Sequence, residues 1–234
     1  MNKKFKQTVI YKSGFSLIEL LVVLGIFIVL TSLTIYKYSQ FNSNLTVTNL
    51  AYEIALTARE AQVYGLGVKN VNPSLSSFQI GYGVSFSKNT TSLVPGQASS
   101  FILFADVNKN GKYESGTDSL IDTFTLREGV VISDLCASYG VAPNKTLKCF
   151  SDGSIDTVDT TFIRPEPSAN ISERLGVGSE QCPTRLVSGG NVLPNCSGTV
   201  IDISSVKGKH KCIVISSTGQ ISVQEPVSSC SDLL

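Results

Sequence analysis

Gly14-Phe15-Ser16-Leu17-Ile18-Glu19 opens an apolar run that continues to Ile35, and Glu19 is the only ionisable side chain in it from Phe15 onward. As a helix the run is about 20 residues and roughly 30 Å long, the thickness of a bilayer's hydrocarbon core. A carboxylate near the start of a lipid-facing helix costs roughly 2.5 kcal/mol or more unless it finds a partner, which makes Glu19 a functional residue by default. Lys3, Lys4, Lys6 and Lys12 precede the run, with no acid among them. Positive charge ahead of a first membrane helix holds that end in the cytoplasm and sends the rest outward. No small-x-small cleavage site follows the run, so it does not read as an ordinary secretory signal and is expected to be kept.

The helix is expected to outlast the membrane. Val47, Leu50, Ala51, Ile54, Ala55, Ala58 and Ala61 recur at helical spacing, while Asn49, Glu53, Arg59, Glu60 and Gln62 fall on the opposite side. Gly65 and Gly67 are stop signals. One helix from about Phe15 to Tyr64 results, with a Ser-, Thr- and Asn-containing stretch from Thr31 to Asn44 where a bend or local melting stays open.

Beyond it, short β-rich runs alternate with turn residues: Phe78–Phe86, Phe101–Ala105, Leu120–Leu126, Val130–Asp134, Lys148–Phe150, Thr161–Arg164, Val200–Ser204, Lys211–Ser216 and Gln220–Gln224. Ser217-Thr218-Gly219 reads as a tight hairpin connection, and 165–198, rich in Pro, Gly, Ser and Asn, as an irregular region pinned by Cys182 and Cys196. The expected fold class is α+β. A long N-terminal helix over 15–65, transmembrane over 15–36, packs on an antiparallel β domain over 66–234.

The chain of 234 residues has 19 basic and 18 acidic side chains. Without the four lysines before Gly14 the balance is 15 against 18, which argues against strong nucleic-acid binding. Six cysteines, Cys136, Cys149, Cys182, Cys196, Cys212 and Cys230, all lie in the outward half, as disulfides in an exported domain would. Of 15 connectivities, nearest-neighbour pairing is the expectation: Cys136–Cys149, Cys182–Cys196 and Cys212–Cys230, each closing a loop of about 15 residues worth roughly 3 kcal/mol. A zinc site is the weaker rival, because there is no C-x-x-C and His210 is the lone histidine.

Gly14-Phe15-Ser16-Leu17-Ile18-Glu19-Leu20-Leu21-Val22-Val23-Leu24 resembles the class III signal of type IV prepilins and type II secretion pseudopilins. The resemblance implies a leader of residues 1–14. A prepilin peptidase cuts between Gly14 and Phe15 and methylates the new amine of Phe15. Glu19 then becomes the fifth residue of the mature chain. In an apolar filament core its carboxylate needs a cation, and the amine of a neighbouring subunit's Phe15 is the obvious one. The resemblance also implies the other partners: further pilins or pseudopilins and an inner-membrane assembly platform. Its location would be single-pass in the inner or plasma membrane with a cytoplasmic N-terminus, then in a filament. Where many pilins have a Pro, this chain has Tyr36.

A weaker resemblance, to the GspH/FimT-like branch of minor pilins and pseudopilins, rests on three stretches. They are Phe104-Ala105-Asp106 with Asn108 and Asn110-Gly111, then Phe162-Ile163-Arg164-Pro165, then Ile215 to Ile221. It implies a double-sheet domain laid against the helix.

Three further features have two readings each. Asp106, Asn108, Asn110, the Lys112 carbonyl, Glu114 and Asp118 could converge on calcium, since alternating oxygen ligands and a Gly at the sharp turn suit that ion. The pattern lacks its twelfth-position Glu, which leaves a polar β-hairpin loop as the alternative. Lys207, Lys209 and Lys211 around His210 form either a solvated basic turn or a weak, salt-sensitive contact for phosphates, DNA included. Asp152, Asp156 and Asp159 sit in a turn-rich segment and suggest no catalysis; no nucleophile–base set stands out, and an enzyme is not expected. Two functions remain: a structural subunit (minor pilin or pseudopilin), or a membrane-anchored binding module or tip adhesin recognising calcium, DNA or a surface ligand.

Overall fold

A computed structural model describes residues 14–67, 80–87, 100–126, 129–139, 146–175, 178–181, 196–205, 207–225 and 230–233. The chain divides into two compact units, Met1–Asn42 and Ser43–Leu234. Helix α1 is Leu17–Leu66. The stretch from Thr31 to Asn44, where a bend or local melting was an open reading, is helical. Thr31 Oγ1 donates to the Phe27 carbonyl at 2.9 Å, Ser32 Oγ to Ile28 at 2.8 Å and Thr34 Oγ1 to Leu30 at 2.9 Å. Each hydroxyl is satisfied by its own helix, as an apolar surrounding requires.

The second unit is two antiparallel sheets with a common core. The six-stranded sheet has the order β3-β2-β1-β6-β7-β8, from β1 (Gly81–Ser87), β2 (Ser100–Asp106), β3 (Ser119–Thr125), β6 (Thr157–Phe162), β7 (Ala169–Leu175) and β8 (Gly178–Gln181). The five-stranded sheet has the order β11-β10-β9-β4-β5, from β4 (Val130–Tyr139), β5 (Thr146–Cys149), β9 (Cys196–Ser205), β10 (His210–Ser216) and β11 (Ile221–Gln224). Of the inward stripe of α1, Val47, Leu50, Ala51, Ile54, Ala58 and Ala61 are at most 1 % exposed and Ala55 is partly buried, and they share one core with Val84 and Phe101 of one sheet and Ile201 and Ile213 of the other.

The helix lies close because its contact residues are small. A Cβ on Gly65 would overlap the Phe162 carbonyl oxygen, so this glycine admits the end of α1 against β6. Gln62, expected on the polar side, is buried instead. Its Nε2 donates to the carbonyls of Pro167 and Gly219, both at 3.0 Å. A buried amide is tolerated when its hydrogen bonds are made, and here they tie the helix end to two loops. The 217–219 hairpin between β10 and β11 forms as expected, with Gly219 at φ +85° and its N–H on the Ser216 carbonyl at 2.9 Å.

Three strand expectations need correction. The region 165–198 is not wholly irregular, because β7 and β8 extend the large sheet through it. The inward positions of β7 are Ala169 and Ile171, with Glu173 next in the series, so its hydrophobic alternation is short and ends on a charge. Strand β4 runs on to Tyr139 rather than stopping at Asp134. A register shift between Ile132 and Asp134 moves the inward set from Val130 and Ile132 to Leu135, Ala137 and Tyr139, which breaks the period-2 pattern. Asp159 belongs to buried strand β6, not to a turn.

Candidate functional site

The N-terminal segment starts with a capped helix. Ser16 Oγ accepts the N–H of Glu19 at 3.2 Å, so Ser16 is the N-cap and Ser-x-x-Glu is the capping-box spacing. Glu19 lies in the first turn, where the helix dipole favours a negative charge. The capping signal was present in the sequence beside the membrane pattern. Gly14 has no structural duty: a Cβ there would meet nothing within 4 Å, and its φ is not left-handed. Leu17 to Ile35 leave their apolar side chains exposed, and among the described residues this helix alone is long and apolar enough to cross a membrane.

A second apolar face lies on the globular unit. Leu45, Tyr52, Leu56 and Val63 of α1 are 43–68 % exposed. Their spacing of seven, four and seven puts all four within about 20° of one line along the helix. They form a stripe opposite the buried one. Reading the helix as apolar inside and polar outside passes over this spacing.

Residues 107–118 do not hang free from the sheet edge. They fold over the outer face of the large sheet, where Tyr113 packs with Ile102 and Phe104 of β2. Every carboxylate oxygen of Asp106 and Asp118 accepts a backbone N–H: Asp106 from Asn110 at 3.1 Å and Gly111 at 2.8 Å, Asp118 from Val107 at 3.0 Å and Glu114 at 2.8 Å. Asn108 Oδ1 accepts from Asn110 N, Asn110 Oδ1 from Lys112 N, and Asn108 Nδ2 donates to Glu114 at 2.9 Å. The oxygens expected as ligands thus shape the turn themselves, with Gly111 at φ +75° against Asn170 of β7. Burial pushes the Asp106 carboxyl up despite these bonds.

Beneath the loop is a buried ionic cluster that the sequence did not disclose. Ser85, Asp159 and Ser172 stand in register across β1, β6 and β7 on the outer face. The Arg174 guanidinium lies 2.9 Å from Asp159 Oδ2 and donates to the Tyr113 carbonyl at 3.0 Å, joining sheet to loop. Burial pushes Asp159 up to about 6, outweighing Arg174, Ser85, the Tyr113 N–H and Lys112, which all pull it down. Lys112 is itself buried, and its ammonium is pushed down by burial and then by Arg174. At the far edge Lys148 of β5 reaches Glu173 of β7 at 2.9 Å, an ion pair between the two sheets.

The outer face of the small sheet is covered covalently. Cys136–Cys149 joins directly opposed residues of β4 and β5, and Cys212–Cys230 ties the terminal 3₁₀ turn, Cys230–Leu233, onto β10 over Val200 and Val214. Two expected pairings are therefore present. Cys196 is also disulfide-bonded, while Cys182 lies outside the described residues. Among the described residues one three-ligand group, Asp134, Cys136 and Cys149, has its ligand atoms gathered within 4.8 Å, and its sulfurs are spent in a disulfide. In the basic turn Lys211 pairs with Glu225 at 2.5 Å and His210 with Asp202 at 3.1 Å, so His210 faces a carboxylate without a nucleophile.

Residues 11–35 match the family model of the prokaryotic N-terminal methylation motif. No curated protein and no solved structure matches the chain. The motif supports a type IV pilin-like protein, and the α+β architecture of a long apolar helix and disulfide-bonded antiparallel sheets fits that class.

Proposed function

We propose that the chain is a minor pilin or pseudopilin: a structural subunit of a type IV pilus or a type II secretion pseudopilus. It waits in the membrane with residues 1–14 inside. Prepilin peptidase then cuts between Gly14 and Phe15 and methylates Phe15, and the subunit enters a filament through α1. The observation that carries this reading is the methylation motif at 11–35, which runs into a helix whose apolar side chains from Leu17 to Ile35 are exposed. Two details support it. Gly14 is required by nothing in the fold, as a recognition residue for a peptidase would be. The exposed stripe Leu45, Tyr52, Leu56 and Val63 on the globular unit gives a neighbouring helix an apolar seam to pack on. Glu19, the one ionisable side chain of the apolar run, sets the register by pairing with the amine of the next subunit's Phe15.

Mass spectrometry of the mature N-terminus tests this directly. Methyl-Phe15 is expected in cells that hold the peptidase. A chain that still starts at Met1 in those cells overturns the proposal and leaves a plain membrane anchor.

A further inference from the structure

The turn between β9 and β10 and the first helical residues of the globular unit border an open cleft of about 380 Å³. Asn44 and Thr48 line it from the helix, Lys209, His210 and Lys211 from the turn, and Glu225 from the end of β11. We propose that this pocket receives the phosphate of an anionic phospholipid head group while the chain is held in the membrane. The proposal rests on the membrane-anchored reading above.

Three observations carry it. The first is charge. Lys209 and Lys211 line the pocket, with Lys207 in the same turn just outside it, against one lining carboxylate, Glu225, which is engaged by Lys211. Asp202, the other nearby acid, is held by His210. This concentration runs against the mature chain as a whole, where acids outnumber bases 18 to 15 with these three lysines counted. The second is access and donor chemistry. Residues 207–210 are exposed, and Asn44 and Thr48 add neutral hydrogen-bond donors suited to phosphate oxygens, in a volume that lies in the range of small-ligand pockets. The third is chain connectivity. Asn44 stands nine positions after Ile35, the last of the apolar run. Even fully extended that stretch spans about 30 Å, so the pocket is tethered near the bilayer surface whatever its orientation. Anionic lipid attracts a nearby basic side chain by roughly fivefold in equilibrium per residue, and salt screens the attraction.

The test uses the full chain in nanodiscs, either all phosphatidylcholine or with about one third phosphatidylglycerol. Amide exchange is followed in peptides covering 44–48 and 207–211. In the anionic discs exchange at both is expected to slow about fivefold or more, and high salt should restore it. The exposed-residue variant Lys207→Gln/Lys209→Gln, checked for an unchanged near-UV spectrum, should exchange alike in both discs. Equal exchange of the native chain in both lipids overturns the proposal. So does equal protection by soluble glycerol phosphate in zwitterionic discs, which marks a free-phosphate site, or stronger protection by a DNA duplex. Retention in neither disc also overturns it, and in that case the anchored reading fails with it.

Discussion

Arg174→Met should cost most of its stability at neutral pH and much less in acid. The substitution removes the guanidinium 2.9 Å from Asp159 Oδ2, in a cluster where Asp159 has no exposure. Breaking a buried pair from one side costs about 3–5 kcal/mol, because the other charge is left in place. The pH dependence follows from Asp159, which titrates at about 6 in the fold and near 3.8 in the open chain. A carboxyl with a raised folded value binds more protons folded than unfolded between those two points. Its contribution therefore lowers stability as pH rises from about 4 to 6, by roughly 3 kcal/mol, and is flat above. Without Arg174 the folded value climbs further and the neutral-pH penalty grows. Near pH 4 Asp159 is already protonated in the fold, so the variant leaves no bare charge there and the remaining loss is the hydrogen bond to the Tyr113 carbonyl, about 1 kcal/mol. Thermal unfolding of the detergent-solubilised chain, read by near-UV circular dichroism at pH 4.5 and 8, measures both. Adding Asp159→Asn should recover most of the loss at pH 8 and flatten the profile between pH 4 and 6. An equal loss at the two pH values, or no recovery in the double variant, would refute the reasoning.

Other consequences are as direct. Glu19→Ala should leave cleavage at Gly14 largely intact and impair incorporation into filaments; normal incorporation, scored by filament immunoblot, sinks the pairing with Phe15. Leu56→Ser should leave the melting temperature within about 1 °C, since Leu56 is 68 % exposed, yet weaken subunit packing in the same blot. Gly65→Val should destabilise the globular unit by about 1–3 kcal/mol, because its side chain must displace the Phe162 backbone, and denaturant titration would show it. Breaking Cys212–Cys230 by a double Ser replacement should cost roughly 3 kcal/mol in the same titration.

The helix and its buried stripe were legible because Val47 through Ala61 keep one period without a break. The hairpin at 217–219 and two disulfide pairings were legible because local spacing decides them. What stayed hidden depends on partners far apart in the chain. Gln62 looks like a surface residue until Pro167 and Gly219, 105 and 157 positions away, supply its acceptors. Asp159 and Arg174 look like loop and surface charges until the 107–118 segment closes over them. Strand β4 is half concealed by its bulge, which shifts the alternation that marks a strand. The side chains that spacing marks as possible ion ligands, Asp106 and Asp118 among them, also accept backbone N–H groups of their own turn, which spacing does not disclose. Lys207, Lys209 and Lys211 were conspicuous as a run; the Asn44 and Thr48 wall opposite them was not, because it comes from a residue set about 160 positions earlier.

If the chain is the filament subunit proposed above, the buried amide of Gln62 gives it a defined mechanical coupling. A filament subunit is gripped by its helix and dragged by whatever its globular part holds. Force entering through the end of α1 passes by two short hydrogen bonds into the β10–β11 turn and the loop before β7. Strands pulled at a turn would normally peel outward toward the chain end. Here Cys212 and Cys230, 18 positions apart, close that end covalently. The segment between them would otherwise pay out about 60 Å of slack. The disulfide withholds that length, so a loaded subunit must hold its hairpin or give way elsewhere.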